Sequence, residues 1–265
     1  MLTYESLIEQ AELREMPKTK LRGILREYLQ ILILKQMYNT NHGKKLYFTG
    51  GTYLRLVHNL KRFSEDLDFD TDKLTKKDFE SLLRKLSTEL KRTGLDSNLS
   101  FNYWGNVYSS KIAFPNIEKK YDIKSTYSKA QGIIIKIEAK KSKNKIKKET
   151  DIISGFGELF PIVCTDKGIT FANKIDAMLK KERGRHIYDL MFMLTNNFPI
   201  DKKTLLHLKI KNDIFNIILK RIKSFSKAEL KKQALGLRPF LFDEVDADLV
   251  ANAQELLPRL IEKKS

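Results

Sequence analysis

Cysteine, histidine and long apolar runs are scarce in this sequence of 265 residues. The single Cys164 excludes an intramolecular disulfide framework and a zinc site built from cysteines. Cys164 follows the apolar residues 161–163, and this setting predicts a buried thiol rather than a nucleophile. The four histidines offer no pair with the spacing of metal ligands.

No segment of the sequence is predicted to enter a membrane. Residues 1–14 carry acids inside their apolar pattern and lack the core of a signal peptide, and the apolar segment 29–34 is too short to span a bilayer. We therefore expect a cytoplasmic protein.

Acidic residues are few relative to basic ones. The 50 Lys and Arg against 33 Asp and Glu give a net charge of +17 and a pI near 9.7. A charge of this size attracts polyanions over a distance, so nucleic acid is the natural candidate partner. A lysine-rich proteome that places lysine on every solvated face is the alternative explanation.

The most informative stretch is a paired-glycine turn followed, after residues 53–65, by an acid pair. The turn is Gly50-Gly51-Thr52, and the acids are Asp66 and Asp68. Glycine lets the backbone bend sharply close to a ligand, and amides at the start of a following helix favour a phosphate. On a strand the two aspartates project to one side, where they can hold a divalent metal. Either piece alone is compatible with a plain turn or a solvated strand end, but together they favour a nucleotide site.

Periodicity along the chain predicts an α+β fold. Helical patterns occur at 6–14, 20–38, 53–60 and 76–91, and strand patterns at 46–49, 99–103, 108–114 and 132–140, with a polar run at 119–129 between the last two strands. Further helices are predicted at 171–181, 185–194, 202–223, 226–235 and 246–257. We therefore expect a mixed β-sheet core with flanking helices in residues 1–165, followed by a C-terminal helical bundle in residues 166–265.

A third acid for a two-metal centre is sought on a neighbouring strand. Glu138 is the candidate, because it is the one acid on the polar face of the strand predicted at 132–140. An ion pair of Glu138 with Lys136, two residues earlier on the same face, is the competing interpretation. The lysine-rich block 140–148 is likewise compatible with a solvated loop or with a loop that contacts phosphate.

Two charged residues fall inside apolar helical patterns in the second half. Lys174 lies within the core stripe of its predicted helix, so its ammonium must reach water or an anion. Asp189 lies in a helix that is apolar nearly all round and needs a buried partner, for which Lys174 or Arg185 can serve. The pair either ties two helices together or leaves Lys174 directed at a nucleotide phosphate.

These motifs, in their order along the chain, resemble those of the AbiEii/AbiGii toxin family of the nucleotidyltransferase superfamily. The resemblance rests on the segments 48–56, 62–69, 174–178 and 185–190. It implies that Asp66 and Asp68 bind the metal, that Gly50, Gly51 and Thr52 form the turn that holds the triphosphate, and that Lys174 and Asp189 are the motif residues of the helical half. Glu138 takes the place of the third acid. His186 is a departure, because the family usually has aspartate there.

The implied reaction is transfer of a nucleoside monophosphate from a nucleoside triphosphate to an acceptor, with two Mg²⁺ ions and release of pyrophosphate. Lys174 would neutralise charge on the triphosphate. The resemblance also implies an RNA acceptor such as transfer RNA, a protein acceptor remaining open, and a cognate antitoxin as partner. Two other interpretations are a non-catalytic nucleotide or nucleic-acid binding module of the same fold and a DNA-binding regulator that uses the helical half.

Overall fold

The computed structural model describes residues 1–123, 132–211 and 213–262. Within these ranges the chain forms two compact units. The first comprises Met1–Asn59 and Phe63–Thr165, and the second comprises Leu60–Arg62 and the residues from Asp166 onward. Of the predicted polar run at 119–129, the part from residue 124 lies outside the described residues. No described helix is both long enough and apolar enough to cross a lipid bilayer.

The first unit is a mixed β-sheet with helices. Its helices are α1 (Tyr4–Leu13), α2 (Leu21–Tyr38), α3 (Gly50–His58), α4 (Lys76–Arg92) and α5 (Ile117–Lys120). Its strands are β1 (Tyr47–Thr49), β2 (Leu67–Thr71), β3 (Asn98–Trp104), β4 (Val107–Phe114), β5 (Ile133–Lys141), β6 (Lys148–Gly155) and β7 (Glu158–Thr165). In the described residues these strands form one sheet in the order β3-β4-β5-β2-β1-β7-β6.

The centre of the sheet mixes parallel and antiparallel pairs. Strand β2 runs parallel to β5 and antiparallel to β1, and β1 runs parallel to β7. The α+β prediction with a mixed sheet is therefore confirmed. Strands β6 and β7, an antiparallel hairpin, were not predicted, because most residues of β6 are polar or exposed and the apolar segment of β7 is short.

One face of the sheet is packed into the core and the other is polar. The alternation on β5 buries Ile133, Ile135 and Ile137, and the same alternation on β2 buries Leu67 and Phe69. Helices α2 and α4 contact each other, α2 contacts β5 and α4 contacts β3. The alternate residues, Asp68 and Asp70 on β2 and Ile134, Lys136, Glu138 and Lys140 on β5, therefore project from the opposite face.

The second unit is helical. It contains α6 (Lys167–Lys180), α7 (Gly184–Thr195), α8 (Lys202–His207), α9 (Ile214–Lys223), α10 (Lys227–Leu237), α11 (Ala247–Ala251) and α12 (Ala253–Glu262). The prediction of one helix over 202–223 was wrong. Helix α8 ends at His207, Lys209 has a left-handed φ of 62°, and the side chain of Asp213 accepts hydrogen bonds from the first amides of α9. Residue 212, inside this break, lies outside the described residues.

Candidate active site

The acid pair lies at the start of β2, on the polar side of the sheet. Asp66 directly precedes the strand, and Asp68 is its second residue. Both side chains are half-buried, while Leu67 between them is fully buried. The strand is thus anchored in the core on one side and presents carboxylates on the other.

The glycine turn passes directly over the second of these acids. Thr49 pairs with Asp68 across β1 and β2, and the chain then turns at Gly50, whose φ is +85°. A Cβ at Gly50 would lie 2.4 Å from Oδ2 of Asp68, so a side chain is excluded both by the left-handed backbone and by the carboxylate. The turn and the acid pair, separated in sequence, form one local structure.

Helix α3 begins at this turn. Its first residues are Gly50, Gly51 and Thr52, so the amides that a helix N-terminus leaves without intrahelical partners lie beside Asp68. Thr52 is 1% exposed, and its hydroxyl donates a hydrogen bond to the backbone carbonyl of Asp66. Thr52 therefore ties the helix start to the acid pair. A contact of its hydroxyl with phosphate stays a prediction.

Glu138 lies beside Asp68 in the sheet. The two residues are in register across the parallel strands β2 and β5, so their side chains project from the same face of adjacent strands about 4.8 Å apart. The carboxylate of Glu138 is also in an ion pair with Lys136, with 2.7 Å between Nζ and Oε1. The predicted ion pair of Glu138 with Lys136 is thus present, while its part in metal binding stays a prediction.

Asp70 is an acid that the sequence reasoning missed. It is two residues beyond Asp68, so the alternation that groups Asp66 with Asp68 extends to it. Its Oδ2 accepts a hydrogen bond of 2.9 Å from the hydroxyl of Thr165. Burial raises the pKa of Asp70, and the hydrogen bond from Thr165 and the charge of Lys140 oppose this rise. The two-residue alternation of the strand was the sequence signal that could have identified Asp70.

Asp66 and Asp68 fit a metal site whose other ligands come from the phosphates of the substrate. Within residues 1–123, 132–211 and 213–262, no three Asp, Glu, His or Cys side chains converge to form a preformed metal cage. Glu138 is in an ion pair with Lys136, and Asp70 accepts a hydrogen bond from Thr165. Mg²⁺ is usually bound by one or two carboxylates together with substrate phosphates, so Asp66 and Asp68 suit it.

The predicted ion pair of Lys174 and Asp189 is present in the helical unit. Asp189 is fully buried, and the Nζ of Lys174 lies 2.7 Å from its Oδ2. Arg62 binds the same carboxylate through two hydrogen bonds of 2.7 Å, from Nε to Oδ1 and from Nη2 to Oδ2. Burial alone would raise the pKa of Asp189, but the charges and hydrogen bonds of Arg62 and Lys174 hold it well below its usual range.

Of the two partners predicted as alternatives for Asp189, Lys174 is present, whereas in the described residues the place of an arginine partner is not taken by Arg185. In the described residues that place belongs to Arg62, because a buried carboxylate is best satisfied by the planar fork of a guanidinium. Arg185 instead lines a groove of about 480 Å³ between α7 and α10. Arg62 stands next to the acid-pair motif in sequence, and only the fold assigns its segment to the helical unit.

His186 lies beside this ion cluster and is neutral. It is 7% exposed, and neither ring nitrogen has a hydrogen-bond partner among the described residues. Burial and the charge of Lys174 lower the pKa of His186 to about 3. Since the cluster combines two cations with one carboxylate, a third positive charge on the imidazole would be unfavourable.

We expect His186 to make the fold sensitive to acid. The folded form holds the imidazole neutral, whereas the unfolded chain protonates it below about pH 6.5, so stability is present above that pH and falls as the pH drops towards 3. Below about pH 6.5 the loss approaches about 1.4 kcal/mol per pH unit until the pH nears 3. Urea unfolding at several pH values, compared with His186→Leu, measures it. Equal slopes for both proteins would contradict the assignment.

Solved structures of other proteins share this fold. The structure of JHP933 from Helicobacter pylori is 18% identical, with a TM-score of 0.53 over 94% of this chain and 96% of that one. MenT4, a nucleotidyltransferase toxin from Mycobacterium tuberculosis, is 16% identical, with a TM-score of 0.59 over 97% of this chain and 90% of that one. No individually curated protein matches the sequence.

The family model described as nucleotidyl transferase AbiEii toxin, type IV toxin–antitoxin system, matches residues 32–257. This range includes the glycine turn, the acid pair and the Lys174–Asp189 pair. The chain therefore belongs to the AbiEii toxin family, as the motifs predicted, and it is a nucleotidyltransferase. The non-catalytic interpretation is accordingly set aside.

Proposed function

We propose that this enzyme transfers a nucleoside monophosphate from a nucleoside triphosphate to the 3′ end of an RNA acceptor resembling transfer RNA, in a Mg²⁺-dependent reaction. The observation that carries the proposal is the contact between Gly50 and Asp68. It brings the start of a helix, which favours phosphate, next to a carboxylate that can bind a metal. A triphosphate with its Mg²⁺ needs both chemistries at one place.

The residues divide the work by their chemistry. Asp66 and Asp68 would hold Mg²⁺, and Glu138, which is in register with Asp68, would assist at a second ion. When bound, Mg²⁺ supplies charge to the triphosphate and makes the acceptor hydroxyl more acidic. The amides of Gly50 and Gly51 would donate hydrogen bonds to phosphate oxygens.

The reaction exchanges a phosphoanhydride bond of the triphosphate for a phosphodiester bond to the acceptor. The acceptor hydroxyl loses its proton and forms a bond to the α-phosphorus, while the bond from that phosphorus to the β-phosphate oxygen breaks and pyrophosphate leaves. A rigid strand holding the acids contributes by fixing the two reactants in line. The net charge of +17 favours a polyanionic acceptor such as RNA in the cytoplasm.

For Lys174 and Asp189 the contacts favour a structural part. Their ion pair, completed by Arg62, supports the interpretation in which Asp189 holds α6, α7 and the segment Leu60–Arg62 together. Neutralisation of triphosphate charge by Lys174 stays a prediction. A cognate antitoxin is expected from the type IV toxin–antitoxin family.

Labelled nucleotide transfer tests the proposal. We expect label from an α-labelled nucleoside triphosphate to appear on RNA when the wild-type protein is incubated with Mg²⁺ and total RNA. Asp66→Ala and a chelator should each abolish the label, because both remove the metal. Asp96→Ala removes an exposed aspartate that lies outside the candidate active site. It is the matched control and should label RNA like the wild type.

Two results would contradict parts of the proposal separately. Absence of label on any RNA with the wild type would remove the RNA acceptor, and undiminished label with the chelator would remove the metal.

Induced expression in a bacterial host connects the chemistry to toxicity. Growth arrest by the wild type, and none by Asp66→Ala, is the expected result.

A further inference from the structure

The polar face of the sheet continues beyond the acids onto three further strands. Cross-strand pairing aligns Asp68 with Glu138 on β5, Glu138 with Ser109 on β4, and Ser109 with Asn102 on β3. Paired residues point to the same side, so these side chains form one continuous row. The helices α2 and α4 contact strands of this sheet through the opposite, apolar face.

This face carries cations and an exposed aromatic ring. Lys111 and Lys140 are exposed on it, and Lys136 lies between the acids and the ring. The Nζ of Lys136 is 5.5 Å from the centre of the Trp104 indole and 2.7 Å from Glu138. Trp104 is the only tryptophan of the sequence, and 45% of it is exposed.

A hollow of about 320 Å³ lies at the other end of the same face. Its floor is formed by Ser100, Lys111, Ala113 and Ile134, which belong to three adjacent strands. Small polar and apolar side chains beside an exposed lysine leave room for a flat group next to a phosphate. The face thus offers acids, cations, an open hollow and an aromatic ring in one surface.

We infer that this face, here called the β3–β5 face, binds the unpaired 3′ segment of the acceptor RNA. Trp104 stacks on a base, and Lys111 and Lys140 contact phosphates, while the terminal hydroxyl lies towards Asp68. The inference rests on the proposed function for the identity of the acceptor. Stacking platforms combined with a positive groove bind single strands with little dependence on sequence.

A single-stranded ligand suits the surface better than a duplex. Exposed indole gains stacking energy only from a base whose faces are accessible, and paired bases are already stacked on their neighbours. Lysines spread over adjacent strands can follow a bent backbone. An acidic protein segment would satisfy the lysines but would leave the indole without a stacking partner.

Trp104 itself provides the measurement, because its fluorescence reports on this face alone. We expect an unpaired RNA oligonucleotide, added without nucleoside triphosphate, to quench the fluorescence of the wild type, and a fully paired RNA duplex or polyglutamate to leave it unchanged. Quenching by polyglutamate and not by RNA would overturn the inference in favour of a protein partner. Quenching by the duplex as strong as that by the single strand would overturn it too.

Variants test the same face with a labelled oligonucleotide. We expect Trp104→Ala to weaken binding about tenfold and Trp104→Phe, which keeps a ring, to stay within about threefold of the wild type. Lys111→Gln should reduce the slope of log affinity against log salt by about 0.7. Lys85→Gln, on exposed α4 residue Lys85, is the matched control and should bind like the wild type. Wild-type affinity of Trp104→Ala, with circular dichroism confirming its fold, would overturn the inference.

These binding measurements separate this inference from the proposed function. They need no turnover, so they report on the β3–β5 face whether or not label is transferred. RNA quenching without any label transfer would support the β3–β5 face and remove the proposed reaction. Label transfer to RNA that Trp104→Ala leaves unchanged, together with unchanged binding, would remove the face and keep the reaction.

Discussion

Replacement of Asp68 by asparagine is expected to lower the rate of nucleotidyl transfer at least about 10³-fold while leaving the fold intact. The amide keeps the shape of the side chain under Gly50 but lacks the negative charge that would hold Mg²⁺. Losing several kcal/mol of metal-derived charge stabilisation in the transition state corresponds to a rate loss of this size. Initial rates of label transfer at saturating triphosphate, with wild type and variant at equal concentration, measure it.

Matched variants identify what the loss means. Asp96→Asn makes the same chemical change at an exposed site and should retain the wild-type rate. A thermal unfolding curve for Asp68→Asn should coincide with that of the wild type within a few degrees, because the residue is half-buried and the substitution conserves volume. A variant that folds and transfers label within tenfold of the wild-type rate would remove Asp68 from the metal site.

The glycine turn and the acid pair were predictable because each is formed by residues that are close together in the sequence. Strand alternation around Leu67 and Phe69 gives the orientation of the acids from sequence alone, and the glycine pair marks the turn. That they form one site was inferred from their combination, and the resemblance to a family agreed with it. The sequence contains no signal that Gly50 would lie against Asp68, since that contact depends on the register of β1 with β2.

Other features depend on partners distant in the chain. Arg62 binds Asp189 across 127 positions, whereas the sequence offered the nearer Arg185 as the alternative to Lys174. Hydrophobic periodicity states that a residue is buried but does not identify its partner. Asp70 is a different case. The strand alternation that groups it with Asp66 and Asp68 was visible in the sequence, but its hydrogen bond with Thr165 depends on the folded sheet. The break between α8 and α9 depends on the left-handed backbone at Lys209, which its residue type does not indicate.

The ion cluster of the helical unit explains why charged residues occur inside apolar helical patterns. Arg62 is 4% exposed, Asp189 is fully buried and Lys174 is 11% exposed, so three charges meet almost without water. The segment Leu60–Arg62 is held further by pairing of Arg62 with Leu241 and by a hydrogen bond from the amide of Phe242 to the carbonyl of Lys61. The cluster therefore fastens an early segment of the chain to helices that come much later.

Asp189→Asn is expected to lower the free energy of unfolding by about 3–5 kcal/mol. The substitution keeps the volume but leaves the buried guanidinium of Arg62 without its counter-charge, and uncompensated buried charge is strongly unfavourable. Urea unfolding at pH 7 measures the change. Asp176→Asn, which breaks the solvent-facing pair with Lys180 in the same unit, is the matched control and should cost less than about 1 kcal/mol.

A double variant distinguishes lost charge pairing from lost packing. In Arg62→Met with Asp189→Leu the buried charges are both removed, and Lys174 can direct its ammonium to water along the exposed tenth of its side chain. We expect this variant to regain at least about 2 kcal/mol over Asp189→Asn.

The stability contribution of Asp189 also depends on pH, and the sign of this dependence is defined. Since the pKa of Asp189 is lowered in the fold, its contribution is complete above about pH 3.9 and is lost as the pH falls below that value. A single variant that unfolds like the wild type, or a double variant less stable than Asp189→Asn, would show that this cluster does not hold the helical unit together.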